Sequence, residues 1–152
     1  MSDVEIEDNS RYDTYAYFYV SDFDGDASEI TRKLELKPTE TWHKGDAWLP
    51  VKTRPFSRWK IHSFVDRSEI FLDAHIESVL DIIEPKQTQI LELRAQGCTI
   101  GINCVGYYYD AHPGFNLSAK LLSRLAAFSL DVDFDLYCLC ADEEKEENSS
   151  DS

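Results

Sequence analysis

Two groups of residues have types and spacing that could do chemistry. The first is the aspartate row Asp131, Asp133 and Asp135 in the segment Leu130–Cys140. A strand turns alternate side chains to one face, so these carboxylates stand roughly 6.5–7 Å apart along one side. Such a row can meet a cationic partner, or form the solvated face of a half-exposed strand. The second group is Trp42-His43-Lys44-Gly45-Asp46, followed by Arg58-Trp59. Residues 37–62 carry Lys37, Lys44, Lys52, Arg54, Arg58 and Lys60 against Glu40 and Asp46, a local excess of four positive charges in an acidic chain. Aromatic faces beside ammonium and guanidinium groups can stack on or clamp an anion. The candidate ligand-binding set is therefore Trp42, Lys44, Asp46, Arg58 and Trp59. The candidate protein-binding set is Asp131, Asp133 and Asp135. The bland alternative for the ligand-binding set is that the tryptophans plug the open side of a sheet while the cations balance acidic strand edges.

Other chemistries find less support. Asp22-Phe23-Asp24-Gly25-Asp26 resembles the start of a calcium loop, but glycine falls fourth and Lys33 stands where the twelfth-position glutamate is required. Cys138 and Cys140 are separated by one residue, short of a zinc knuckle. The four histidines, His43, His62, His75 and His112, form no paired metal motif. Neither a nucleophile elbow nor a glycine-rich phosphate loop occurs. No catalytic residue, metal or cofactor is expected, and the chain reads as non-enzymatic.

The elements that must position these residues follow from periodicity. Arg11–Val20 reads as a central strand, with Ala16, Phe18 and Val20 on one face and Tyr15, Tyr17 and Tyr19 on the other. Asp26 is placed to cap a short helix with Ala27, Ile30 and Leu34 as its buried stripe, stopped before Pro38. Residues 39–57 predict a long connection with a short strand or two, and Ser57–Val65 a strand. A helix capped by Ser68 carries Phe71, Leu72, His75, Ile76, Val79, Leu80 and Ile83, and a second helix begins at Pro85 and stops at Gly97. Cys98–Tyr109 is a strand in which Gly101 and Gly106 mark a bulge. After a turn at His112-Pro113-Gly114, Ser118 caps a helix with Leu121, Leu125 and Phe128 inward. In the last strand, Val132, Phe134, Leu136, Cys138 and Cys140 face the core. This order predicts an α+β domain, a mixed or antiparallel sheet with helices mainly on one face, and hints at two related strand-helix-strand halves.

The 152 residues suit one domain, with 43% hydrophobic residues and no apolar run of membrane-spanning length. Residues 1–10 carry four carboxylates and no cation, and residues 141–152 carry six against Lys145. These two ends hold nine of the fourteen net negative charges, so they read as an acidic N-terminal segment and an acidic C-terminal tail around a domain at 11–140. Without a basic-then-apolar leader, a cytoplasmic location is expected. The cysteines fit that compartment as buried thiols. The charge repels nucleic acid and anionic membranes and favours a basic protein partner.

Ile30–Thr39 with its Leu36-Lys37-Pro38-Thr39 end, Trp42-His43-Lys44-Gly45-Asp46, Ser57-x-Trp59, Gly114–Ser118 and Leu130–Tyr137 together resemble the bacterial family known as domain of unknown function 4279. The resemblance spans about residues 12–138. It implies a small cytosolic α+β domain and brings no activity or catalytic residues with it; such small acidic domains can stand beside toxins as immunity proteins. The functional expectation is a non-enzymatic protein-binding domain, in its sharper form an immunity protein neutralising a basic toxin. The alternative is a small-molecule or anion-binding regulatory domain using the Trp42–Asp46 loop.

Overall fold

The structure is a computed structural model that describes residues 12–110 and 114–139. Among the described residues five strands form the main sheet: β1 (Tyr12–Ser21), β2 (Glu40–Trp42), β5 (Arg58–His62), β6 (Thr99–Tyr108) and β7 (Asp131–Cys138). Their order is β2-β5-β1-β6-β7, so the first strand in sequence is central in space. All pairings are antiparallel except β6 with β7, which is parallel. The chain is thus α+β with a mixed sheet. The two strand-helix-strand runs share element order but differ in sense: β1 and β5 pair antiparallel across α1 (Ala27–Leu34), whereas the run through α4 (Ala119–Ala127) makes the parallel pair. A parallel pair requires a crossover, and α4 lies within it. A separate hairpin, β3 (Ala47–Leu49) with β4 (Lys52–Thr53), fills the connection before β5.

The core lies on one face of the sheet. Ala16, Phe18 and Val20 of β1, Trp59 and Ile61 of β5, and Ile100, Ile102 and Cys104 of β6 meet apolar stripes from four helices. These stripes come from α1, α2 (Leu72–Ile83), α3 (Gln87–Ala95) and α4. Several local predictions hold. Asp26 caps α1 by accepting from the Ser28 N–H at 2.8 Å, and Ser118 caps α4 by accepting from that of Leu121 at 3.1 Å. Pro85 sits at the start of a single 3-10 turn (Glu84–Lys86) that joins α2 to α3, where its missing N–H leaves no helical bond unmade. Gly97, at φ +102°, closes α3. Among the described residues no helix is long and apolar enough to cross a membrane.

Four expectations are corrected. Ser68 caps no helix: its N–H and hydroxyl both donate to Asp66 in a local turn, and α2 begins at Leu72 without a side-chain cap. Gly101 and Gly106 mark no bulge, because β6 pairs with β1 in unbroken register from Thr99 to Tyr108. They are close-approach sites instead. A Cβ on Gly101 would lie 2.6 Å from the Tyr19 hydroxyl, and one on Gly106 would lie 2.5 Å from that of Tyr108. The third concerns β7, where Phe134 (42%) and Leu136 (39%) remain exposed, as does Cys138. The nine residues of α4 span about 14 Å at 1.5 Å each, while the eight of β7 span about 26 Å, so the helix is too short to cover the whole strand. The fourth is the cysteines: Cys104 is buried, Cys98 half-buried and Cys138 exposed. The acidic ends, most of the His112-Pro113-Gly114 turn and Cys140 lie outside the described residues.

A buried histidine fastens the loop after β5. Fully buried His75 brings Nε2 within 2.9 Å of the Glu69 carbonyl and Nδ1 within 3.0 Å of the Ser63 hydroxyl. Thr14 donates to the Glu69 carbonyl as well. The Thr14 N–H donates to the Arg67 carbonyl at 2.9 Å and that of Ser63 to the Ala16 carbonyl at 2.9 Å, so the loop takes over the edge of β1 where β5 ends. The Ser63–His75 pair has the residue types of a nucleophile and base. Its ring is enclosed with both nitrogens engaged, which makes it a structural clamp.

Candidate functional site

The aspartate row and part of the basic, aromatic group fall on the face of the sheet turned away from the helices. Strand period places Trp42 of β2, Arg58, Lys60 and His62 of β5, Tyr15, Tyr17 and Tyr19 of β1, Asn103 and Tyr107 of β6, and the three aspartates of β7 on this one side. Cations occupy one end of the face, tyrosines the middle and carboxylates the other end.

At the cationic end each positive group rests on a ring. The Arg54 guanidinium lies 4.0 Å from the Trp42 ring centre and 4.8 Å from that of Trp48, which joins the β3–β4 hairpin to the face. Arg58 lies 4.2 Å over Tyr19, Lys60 4.6 Å over Tyr17, and Arg67 4.0 Å over Tyr15. Lys60 also pairs with Glu40 at 3.0 Å. Stacking of this kind holds long side chains flat and in fixed positions, at about 0.5–1 kcal/mol each where exposed.

Hydrogen bonds carry this order across to the acidic end. Arg58 donates to the Tyr17 hydroxyl at 3.3 Å, and Asn103 Nδ2 donates to that hydroxyl at 2.8 Å and to Asp135 at 3.0 Å. Tyr19 donates to Asp133 at 3.2 Å. Burial, with the Asp133 charge beside it, pushes the Tyr19 phenol up to about 12, so it stays a donor throughout the physiological range. Among the described residues, Trp42 Nε1, His62 Nε2 and Asn103 Oδ1 are buried on this face without a hydrogen-bond partner. Unpaired polar atoms of this kind call for an explanation.

His62 stacks on Tyr15 and Tyr17, with ring centres 5.2 and 5.3 Å away. Burial first, then the charges of Lys60 and Arg67, lower its pKa to about 4. The unfolded chain, with an ordinary histidine near 6.5, therefore takes up a proton between pH 6.5 and 4 while the folded chain does not. Stability is full above about pH 6.5 and falls as pH drops toward 4. The expected loss is on the order of 1 kcal/mol once solvent screening of this half-exposed ring is allowed for. Urea titrations at pH 7 and pH 4.5 should show that loss, and the difference should shrink in His62→Gln; an unchanged difference would assign it to another group.

The predicted ligand set is divided. Trp42 and Arg58 lie on the open face. Trp59 does not: it is 0% exposed on the helix side, edge-on to Phe18, with its Nε1 donating to Thr31 Oγ1 at 2.9 Å. Adjacent strand residues point to opposite faces, so Arg58 and Trp59 could never line one site. Lys44 and Asp46 belong to a turn, closed by the Asp46 carboxylate accepting from the His43 N–H at 2.8 Å, with Gly45 at φ +93°. His43 reaches α1, its Nε2 accepting from the Ala27 N–H at 3.0 Å. The turn borders a cleft of about 390 Å³ lined by Phe23, His43, Lys44, Phe56, Ser57 and the carboxylates of Asp22 and Asp24. Sequence reasoning missed Tyr17, Lys60, His62 and Asn103 as members of a site. The alternation Arg58-x-Lys60-x-His62 was a signal for part of the set; Asn103, in an apolar run, gave none.

Comparison with known proteins yields a family without a described activity. No curated protein and no solved structure matches the chain. The family profile matches residues 12–139, which takes in every strand and helix described above, so the chain belongs to the family described as Domain of unknown function (DUF4279).

Proposed function

We propose that this chain is a non-enzymatic protein-binding domain that meets its partner through the open face of the sheet. The observation that carries the reading is the face itself: tyrosines, a tryptophan and arginines held flat by stacking, with opposite charges at its two ends. Tyr, Trp and Arg dominate the energetics of protein interfaces, because they bury large areas at low conformational cost. A face with separated charges also orients a partner before contact. The clefts of about 560 and 400 Å³ lie elsewhere, one against the start of α2 and one between α1 and α3. In its sharper form the domain is a bacterial, cytoplasmic immunity protein neutralising a basic toxin, a form favoured by the aspartate row and by the acidity of the flanking sequence.

The product of the adjacent reading frame is the partner to test, by co-expression and titration calorimetry with hydrogen-exchange footprinting. Protection should fall on the open-face strands, and Arg58→Glu, or Tyr137→Ala, which removes a ring stacked on Tyr107 of this face with centres 4.8 Å apart, should weaken binding by about tenfold or more, equivalent to about 1.4 kcal/mol. Protection confined to the helices would overturn the assignment of the face.

The cleft beside Lys44 supports a second reading as a small-molecule site. Asp22 and Asp24 oppose a purely anionic ligand there, whereas an amino acid presents both charges. A thermal-shift screen of amino acids, nucleotides and phosphosugars should raise the melting temperature with one class if this reading holds, and Lys44→Ala should erase the shift.

A further inference from the structure

We infer that β7 is the docking edge for an extended basic segment of a partner, which adds to the sheet as a further strand. The inference rests on the protein-binding reading above and names the partner's chemistry and mode of attachment. Among the described strands β7 ends the sheet, with β6 on one side only. An eight-residue edge presents backbone N–H and C=O groups that another strand can use.

The two sides of this edge differ in a way that specifies the incoming strand. On the open face stand the carboxylates of Asp131, Asp133 and Asp135. On the helix side Phe134 and Leu136 are 42% and 39% exposed. A strand laid along β7 turns alternate side chains to those two sides. Cationic residues at every second position would then meet the aspartates, with apolar residues between them extending the cover over Phe134 and Leu136.

A second observation points to a cationic donor. Asn103, 9% exposed, neighbours Asp133 across the β6–β7 ladder, and its Nδ2 is committed to Tyr17 and Asp135. Its Oδ1 is buried with no partner among the described residues. An unpaired acceptor between two carboxylates suits a group with several N–H donors, which a guanidinium or ammonium supplies. A second copy of this chain is the poorer occupant, since pairing β7 with itself would bring two aspartate rows onto one face. The sequence after β7 adds six carboxylates against Lys145, which steers a basic segment toward this edge.

The test uses the full chain and three fluorescent nine-residue peptides: one alternating lysine with valine, one of the same composition in blocks, and the alternating one N-methylated at every second residue. Anisotropy should show binding of the alternating peptide and a loss of about tenfold or more for the other two. The β7 amides should shift in heteronuclear NMR spectra. Asp133→Asn with Asp135→Asn should weaken the peptide by a similar factor, with a melting curve to confirm folding. If reversing these charges with lysine unfolds the chain, the neutral pair still decides. No binding, or equal binding of all three peptides, overturns strand addition. So does a dimer formed through β7, seen by sedimentation. If the peptides fail while a partner protein still protects the Arg58–Tyr17 end of the face, only the strand-addition inference falls; if that partner also leaves the open face unprotected, the wider reading falls with it.

Discussion

Replacing Trp59 with alanine is expected to cost about 3–5 kcal/mol, enough to leave the domain largely unfolded at room temperature. The side chain is fully buried between β5 and α1, edge-on to Phe18 at 6.3 Å, and its indole N–H is the partner of Thr31. Truncation removes the largest apolar group in the core, opens a cavity among side chains that are already close-packed, and removes the hydrogen bond to Thr31. Trp59→Phe should recover much of the packing and lose about 1–2 kcal/mol, the lost hydrogen bond to Thr31 included. Trp42→Ala is the informative contrast. That ring lies on the open face under Arg54 and Lys60, so its loss should cost about 1 kcal/mol while impairing partner binding. Urea unfolding of the three variants tests the division of the tryptophans directly. A Trp59→Ala chain as stable as the parent would contradict its placement in the core.

Replacing His75 with leucine is expected to destabilise the chain by about 2–4 kcal/mol, although leucine is apolar and of similar size. The loss comes from the groups left behind. The Glu69 carbonyl loses a ring N–H at 2.9 Å, and the Ser63 hydroxyl loses a nitrogen at 3.0 Å, around a ring that is itself fully buried. Ser63→Ala removes one half of one bond and should cost about 1 kcal/mol. The effect of His75→Leu should be local as well as global. Amides of Thr14 and Ser63, which bond the loop to β1, should exchange faster with solvent than those of Ile100 and Ile102 in mid-sheet. Uniform acceleration across the sheet would mean that His75 supports the whole core rather than this loop.

Much of the fold was legible because it is local. Asp26 and Ser118 cap their helices since a short polar side chain reaches the exposed N–H groups of the first turn, whatever else surrounds it. Pro85 and Gly97 punctuate α2 and α3 through backbone sterics alone. Ser68 was misread for the same reason in reverse: Asp66, two residues earlier, captured its N–H and hydroxyl before a helix could. The two glycines of β6 were read as flaws in a strand because the sequence does not show which ring crosses above them.

The candidate site was legible only in halves. Strand alternation by itself put Tyr15, Tyr17 and Tyr19 on one side of β1 and the three aspartates on one side of β7, because successive side chains must point to opposite faces. It also contained the separation of Arg58 from Trp59, which grouping by charge and aromaticity overlooked. What alternation cannot convey is which strands lie side by side. Tyr19 reaches Asp133 across 114 residues and Arg58 reaches Tyr17 across 41, pairings made by the whole sheet closing around β1. The sequence determined which faces its residues share; the tertiary structure decided that the basic and acidic groups share one continuous face, since strand order depends on the packing of four helices against the other side.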